Sequence, residues 1–216
     1  MAGLLLVGIV GCSNESKEQE AMPLGIIGAM EEEVEILKEK MEIEETVEIA
    51  GMTFYRGMLH NQDVILVRSG VGKVNMAACT QILIDHFNVE ALVNSGVSGT
   101  LDPELNQGDI VISVEAVQHD FDTTPVGGKP GEISRLGITY FEADKGLVDV
   151  AKEAAYNVEN IHIKEGTVTY LNNVPFVIIR SISDKADGGA DLSYEEFLPL
   201  AAQNSSALVE EFIKAY

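Results

Sequence analysis

The stretch from Gly25 to Val34 reads GIIGAMEEEV, a short apolar run that is followed at once by three glutamates. A second stretch, from Val177 to Asp184, reads VIIRSISD and also ends on a carboxylate. Each apolar run is typical of a buried strand, and in an open α/β sheet ligands bind where the strands end. Two carboxylates that the fold brings to one such edge can move protons on a small molecule.

Strands and helices alternate outward from these two stretches. Hydrophobic periodicity predicts strands over residues 24–29, 45–49, 52–58, 63–67, 91–95, 109–114, 161–168 and 174–182. It predicts helices over residues 31–41, 74–87 and 144–157, and a last helix from a capping box at 193 to about 213. This alternation predicts an α/β fold with a mixed central sheet that is flanked by helices.

The third acid of the first stretch differs from its neighbours. On the predicted helix, Glu33 borders the apolar stripe, whereas Glu31 and Glu32 face water. A simpler interpretation is that all three acids favour the first turn of a helix. That interpretation explains Glu31 and Glu32 better than it explains an acid at the edge of the core.

The composition restricts the class of ligand. The 216 residues include 35 acids and 14 bases, so the formal net charge is −21. A nucleic-acid surface needs a basic stripe, and docking on anionic lipid needs a polybasic segment, so both are excluded. The length suits one α/β domain over residues 22–216, and the charge suits a neutral or cationic small molecule.

The sequence predicts neither a metal site nor a cofactor. The two cysteines, Cys12 and Cys79, lie in different contexts, so a disulfide framework is not expected and Cys79 is predicted to be a small buried residue. The four histidines are scattered, and no metal-binding motif occurs. The segment 69–73 reads SGVGK, which is not a Walker motif and predicts a tight turn between a strand and a helix.

Residues 1–21 are predicted to lie outside the domain. Residues 4–11 form an apolar run that is too short to span a bilayer but suits a signal peptide, although no base precedes it. The run ends in IVGC, which resembles a bacterial lipoprotein cleavage box with Cys12 as the lipidated residue, followed by a polar tether. We therefore expect a membrane-anchored lipoprotein outside the cytoplasm, with an inert leader on a cytoplasmic protein as the alternative.

Taken together, several motifs carry a family resemblance. They are GIIGAMEEEV, SGVGKVNMA, VNSGVSGTLDPELNQGDIVIS, QHDFD, and VPFVIIRSISDKAD followed by LSYEEF. With these, the chain resembles the 5′-methylthioadenosine/S-adenosylhomocysteine nucleosidases of the nucleoside phosphorylase superfamily. The resemblance covers most of residues 24–214 and implies hydrolysis of an N-glycosidic bond, which yields adenine and a thioribose.

The resemblance also implies roles for individual residues. Glu33 matches the general base that activates water, and Asp184 matches the general acid that protonates adenine N7, with Ser183 orienting Asp184. Arg180 and a turn at Val97–Gly99 match positions around the water and the adenine. That turn comprises Val97, Ser98 and Gly99. The ribose and alkylthio pocket is matched by Met30, Val71, Thr123, Val126 and Tyr194. A loop around 123–135 that reaches a partner's active site implies a homodimer.

The resemblance breaks between residues 170 and 171. The family carries roughly forty further residues there, including an aromatic that stacks on adenine and a glutamate that binds the ribose hydroxyls, contacts that orient the substrate. Charge-assisted hydrogen bonds contribute roughly 1.5–3 kcal/mol each, so losing this clamp would weaken transition-state binding. The sequence therefore predicts an incomplete fold with impaired activity, or else a gap in the gene model.

Two other functions stay open at this point. A lipid-anchored, non-catalytic protein that binds purine nucleosides would account for the lipoprotein motif and the missing block. A nucleoside phosphorylase would share the fold, but it would need cationic ligands for phosphate, and the chain has few bases.

Overall fold

One mixed sheet of nine strands forms the centre of the part of the chain that the computed structural model describes, which comprises residues 22–159, 161–168, 175–185 and 194–216. The strands are β1 Leu24–Gly28, β2 Glu42–Ile49, β3 Met52–Leu59, β4 Gln62–Arg68, β5 Ala91–Thr100, β6 Ile110–Val117, β7 Tyr140–Glu142, β8 Ile163–Val168 and β9 Phe176–Lys185. Their order is β2-β3-β4-β1-β5-β9-β6-β7, with β8 paired to β6. The predicted α/β fold with a mixed central sheet is confirmed.

The centre of the sheet is parallel. Strand β1 pairs in parallel with β4 and β5, and β5 pairs in parallel with β9. The three strands predicted between residues 45 and 67 form an antiparallel meander, as β2 pairs with β3 and β3 with β4. Because parallel strands end at the same edge, the segments that follow β1, β4, β5 and β9 meet there.

Four helices cover the two faces of the sheet within the described residues. They are α1 Glu31–Lys40, α2 Lys73–Asp85, α3 Lys145–Ala155 and α4 Tyr194–Ala215. Helices α1, α3 and α4 contribute to the core on one face, and α2 contributes to the core on the other. None of the described helices is both long enough and apolar enough to cross a membrane. The predicted cap at Ser193 lies outside the described residues.

The apolar run at the start of the chain's domain supplies both cores. Every residue of β1 is buried, as expected for a strand with helices on both faces. Leu24 and Ile26 belong to the core that includes Leu37 of α1, whereas Ile27 belongs to the core that includes Leu83 of α2. The alternation of side chains along β1 therefore joins the two layers of the domain.

Strand β5 is longer than the sequence predicts. The segment Val97–Gly99, expected to be a turn, lies inside β5 and pairs with β9, with an irregular register between Ser98 and Gly99. Glycine and serine are poor strand residues, but pairing with β9 satisfies their backbone groups and overrides that propensity. The short strand β7 was also not predicted; it pairs with the end of β6.

The outermost strand of the meander is acidic. Strand β2 forms one edge of the sheet and carries four exposed glutamates, Glu42, Glu44, Glu45 and Glu48. Charged side chains on an edge strand oppose pairing with another chain.

Cys79 of α2 has 0% exposure and lies in the core between α2 and the sheet, as predicted. Burial raises the pKa of its thiol from 9.0 to about 12. In the unfolded chain the thiol regains its ordinary pKa. Between these two values the unfolded state binds fewer protons than the folded state, so this residue's contribution to stability falls as the pH rises above 9.0.

We therefore expect the parent chain to lose more stability between pH 8 and pH 10 than a Cys79→Ala variant loses. One pH unit above the unfolded pKa corresponds to about 1.4 kcal/mol. Urea unfolding of both chains at pH 6, 8 and 10 measures the difference between their free energies of unfolding. This difference should be constant between pH 6 and 8. A difference that stays constant up to pH 10 would contradict the raised pKa.

Candidate active site

Glu33 is buried where α1 begins, at the edge to which the parallel strands point. Its exposed fraction is 3%. One carboxylate oxygen, Oε2, accepts hydrogen bonds from the backbone N–H groups of Ala29 at 2.6 Å and Met30 at 2.9 Å. The other oxygen, Oε1, accepts from the backbone N–H of Val97 at 3.0 Å. The buried position agrees with the sequence prediction, and Glu31 and Glu32 are exposed, also as predicted.

The two oxygens have different roles in the fold. The bonds to Oε2 are local and cap the first turn of α1, which the simpler interpretation of the acids anticipated. The bond to Oε1 crosses to β5, 64 residues away, and capping does not explain it. Three backbone donors therefore hold this carboxylate in one orientation beside β5.

Asp184 is the second carboxylate at this edge. It lies within β9 and pairs with Gly99 of β5. Ser183 is buried, and its Oγ donates a hydrogen bond to Oδ2 of Asp184 at 2.8 Å. The side-chain amide of Gln107 donates to the Ser183 carbonyl at 2.9 Å, which ties the loop before β6 to this end of β9.

Most of the predicted site residues line one cavity of about 360 Å³. It contains both carboxylates, which come from opposite ends of the domain sequence. Its lining comprises Ala29, Met30, Glu33, Val71, Val97, Ser98, Gly99, Ser183 and Asp184. All of these except Ala29 were site residues predicted from the sequence, so the fold brings eight predicted residues together.

The other predicted residues lie elsewhere. Thr123 precedes a 3-10 turn at Thr124–Val126, and Val126 is 84% exposed on that turn rather than in the cavity of its own chain. Tyr194 is the first residue of α4, but its side chain is outside the described part of the structure. Cys12 lies outside the described residues.

Arg180 lies beside the cavity rather than in its lining. It lines two adjoining cavities, one of about 450 Å³ against α2 and one of about 670 Å³ between β5 and β8. Its guanidinium donates to the carbonyls of Asn94 and Ile179, each at 3.0 Å, and to the Asn94 side chain. Burial lowers the pKa of Arg180 to about 10, against the opposing effect of the Glu33 charge. The group therefore stays cationic at neutral pH.

Asn94 is a site residue that the sequence prediction missed. It is buried in β5, accepts from Arg180, and donates from its amide to the Ile27 carbonyl at 3.0 Å. It therefore fixes the cation against β1 and β5. The available signal was one asparagine within the apolar run ALVNS, because a buried polar side chain needs hydrogen-bond partners.

Known proteins resemble this chain over nearly all of the described domain. The phosphorylase superfamily matches residues 23–172 and 164–214. The 5′-methylthioadenosine/S-adenosylhomocysteine nucleosidase of Psychromonas ingrahamii is 40% identical over 228 residues, covering 89% of this chain and 98% of its own.

Solved structures agree. The nucleosidase of the same name from Neisseria meningitidis, in complex with methylthio-immucillin-A, superposes with a TM-score of 0.83 at 32% identity and covers 90% of this chain and 100% of its own. The nucleosidase from Colwellia psychrerythraea, in complex with adenine, gives 0.82 at 35% identity over 91% of this chain and 96% of its own.

The alignment with the Psychromonas ingrahamii protein is longer than the part of this chain that it covers. Since 89% of 216 residues is about 192, an alignment over 228 residues leaves about 36 positions of the relative without a counterpart here. The two superfamily matches also overlap over residues 164–172, a range that starts in β8 and continues toward β9.

The sequence similarity, the fold and the grouping of the predicted site residues around one cavity agree. The chain belongs to the 5′-methylthioadenosine/S-adenosylhomocysteine nucleosidase family of the phosphorylase superfamily.

Proposed function

We propose that this chain hydrolyses the N-glycosidic bond of 5′-methylthioadenosine and S-adenosylhomocysteine, releasing adenine and a thioribose. The observation that carries the proposal is the single cavity that Glu33 and Asp184 share at the carboxyl edge of the parallel strands. Cleavage of this bond needs a base on the sugar side and an acid on the purine side. Two carboxylates, one from α1 and one from β9, meet that need.

Glu33 acts as the general base. Its carboxylate is held by three backbone N–H groups, so it does not have to reorganise when it accepts a proton from the attacking water. The water then attacks C1′ of the ribose. A fixed anion at this position also stabilises the positive charge that the sugar ring develops as the bond breaks.

Asp184 acts as the general acid toward adenine N7. Adenine leaves as a neutral base only when it receives a proton, and Asp184 lies in the cavity wall beside β5, where the purine would bind. The hydrogen bond from Ser183 to Oδ2 orients the carboxyl group for that transfer. No cofactor is required for either proton transfer.

A reduced activity is part of the proposal. We infer that the chain lacks a segment that its relatives carry between β8 and β9, a view supported by the 36 or so unmatched positions. The cavity of about 450 Å³ between α2 and the sheet gives further support. It is lined by the apolar side chains of Leu92, Met76 and Phe176, and Phe176 is the first residue of β9. A binding protein without turnover is the alternative that this missing segment favours.

We also propose a homodimer. Large apolar side chains are exposed on the loop after β6 and at the start of α2, namely Phe121, Val126, Leu136, Ile138, Val71 and Val74. Val126 is 84% exposed and Leu136 66%, and clustered exposure of this kind is typical of a protein interface. In such a dimer, Thr123 and Val126 of each copy would lie at the cavity of the other copy.

A lipid anchor at Cys12 and a location outside the bacterial cytoplasm are proposed on the sequence of residues 4–12 alone. An apolar run that ends in a small residue and a cysteine supports processing at that cysteine. The polar residues 13–21 would then tether the domain to the membrane surface.

The purified chain should release adenine from 5′-methylthioadenosine, and Glu33→Gln should lower the rate about 10²- to 10⁴-fold, the usual contribution of a general base. Glu32→Gln is the matched control, because Glu32 lies on the same helical turn but is exposed. The absorbance change on adenine release measures the rate. If the folded parent chain binds adenine but releases no adenine from 5′-methylthioadenosine, the result contradicts hydrolysis and favours the binding protein. A rate that depends on added phosphate would instead indicate a phosphorylase.

Val126→Asp combined with Leu136→Asp should convert the dimer to monomers, because a charge placed in an apolar interface loses its hydration. Sedimentation velocity should give twice the 23.3 kDa of one chain for the parent and a single chain for the variant. Tyr156→Asp is the control, since Tyr156 is 91% exposed on another part of the surface. A parent that sediments as a monomer at micromolar concentration would refute the dimer.

When the full chain is expressed in a bacterium, it should partition into detergent with the membrane fraction, and Cys12→Ser should release it to the aqueous phase. Cys79→Ala removes the other cysteine, which is buried, and should leave the partitioning unchanged. The mass of the amino-terminal peptide reports the acyl chains directly. An unmodified amino terminus in the parent would rule out the anchor.

A further inference from the structure

Two glycines of β5 lie against the two carboxylates of the site. A Cβ atom placed on Gly96 would lie 2.4 Å from Oε1 of Glu33. A Cβ atom placed on Gly99 would lie 2.7 Å from Oδ1 of Asp184. Both separations are far shorter than a nonbonded contact between carbon and oxygen, which is more than about 3 Å. Any side chain at either position would therefore displace a carboxylate.

The backbone at these positions does not itself require glycine. Elsewhere in the site region Gly70 and Gly72 have φ angles of 81° and 109°, in the region that favours glycine. Gly96 and Gly99 are not among the residues with positive φ. Alanine could adopt their backbone conformation, so the requirement for glycine at these two positions comes from space.

The space serves the hydrogen bonds already described. Gly96 directly precedes Val97, whose N–H donates to Oε1 of Glu33 at 3.0 Å. A methyl group on residue 96 would push the whole carboxylate of Glu33 off this donor, since it would also lie 2.9 Å from Cδ and 3.3 Å from Oε2. At the other position, the irregular register after Ser98 places Gly99 directly opposite Asp184. The geometry at both glycines thus makes room for a carboxylate.

We propose that Gly96 and Gly99 are positioning residues, each of which holds open the space for one carboxylate and so fixes the placement of the base and the acid separately. The inference that these placements matter for turnover rests on the proposed function. The inference that each glycine is matched to its carboxylate rests on the geometry alone. The two parts can therefore be tested separately.

The first test needs no activity. Urea unfolding is measured for the parent, Gly96→Ala, Glu33→Ala and the double variant. Gly96→Ala should lower the unfolding midpoint of the parent. In the Glu33→Ala background the collision is gone, so the same substitution should leave the midpoint unchanged or raise it, because alanine restricts the unfolded chain. An equal loss in both backgrounds would overturn the proposal for Gly96. Gly99→Ala with Asp184→Ala forms the corresponding cycle.

The second test uses adenine release. Gly96→Ala should lower kcat about a hundredfold, the scale expected when a catalytic group moves by about 1 Å, and should change KM much less. Added to Glu33→Gln, it should lower kcat no further, since the base is already lost. Gly146→Ala is the control. Among the described residues, a Cβ atom placed on Gly146 would lie near Asp144 Oδ1, at 3.1 Å, and not near the site. Unchanged kcat in Gly96→Ala would overturn the catalytic part of the proposal.

The two tests separate the two ideas. If the parent chain releases no adenine, the proposed function fails, and the unfolding cycles still decide whether each glycine is matched to its carboxylate. If the parent is active and the cycles show no coupling, the positioning role fails while the nucleosidase activity stands.

Discussion

The parallel pairing of β5 with β1 on one side and β9 on the other determines where the chemistry takes place. Ile27 of β1 lies opposite Asn94, and Arg180 of β9 lies opposite Gly96. Because these strands run in the same direction, the acid that follows β1 and the acid near the end of β9 reach the same edge. A register shift of one residue between β1 and β5 would move the Val97 N–H by about 3.3 Å and remove it from Glu33. The orientation of the Glu33 carboxylate thus depends on the sheet itself.

Arg180 supplies a cation beside the two carboxylates of the site. The chain is strongly acidic, and two carboxylates line the small cavity, yet Arg180 lies just behind it and interacts favourably with Glu33. Asn94 and two backbone carbonyls satisfy the guanidinium, so the cation is fixed without neutralising either carboxylate through a direct ion pair. In this arrangement both carboxyl groups line the cavity, and Asn94 is one of the residues that hold Arg180 beside it.

Much of this could be predicted from the sequence, and the remainder depends on contacts between distant segments. The apolar runs of β1 and β9 and the position of Glu33 beside the stripe of α1 are local patterns. The full length of β5 is not, because SGVSGT has poor strand propensity and becomes a strand only through pairing with β9. The role of Asn94 was missed for the same reason, since its partners come from β1 and β9. The glycines of β5 can be read from the sequence, but only the structure gives the atoms that face them.

The acidic edge strand β2 has a consequence for how copies of the chain can associate. Four exposed glutamates on one edge give two such edges a mutual repulsion that grows as they approach, so the sheet does not extend from chain to chain on that side. The opposite edge strand, β7, carries one exposed glutamate, Glu142, and follows the loop that bears the exposed apolar side chains. Pairing of copies through β2 is thereby disfavoured, which leaves the flank with the loop for the proposed homodimer.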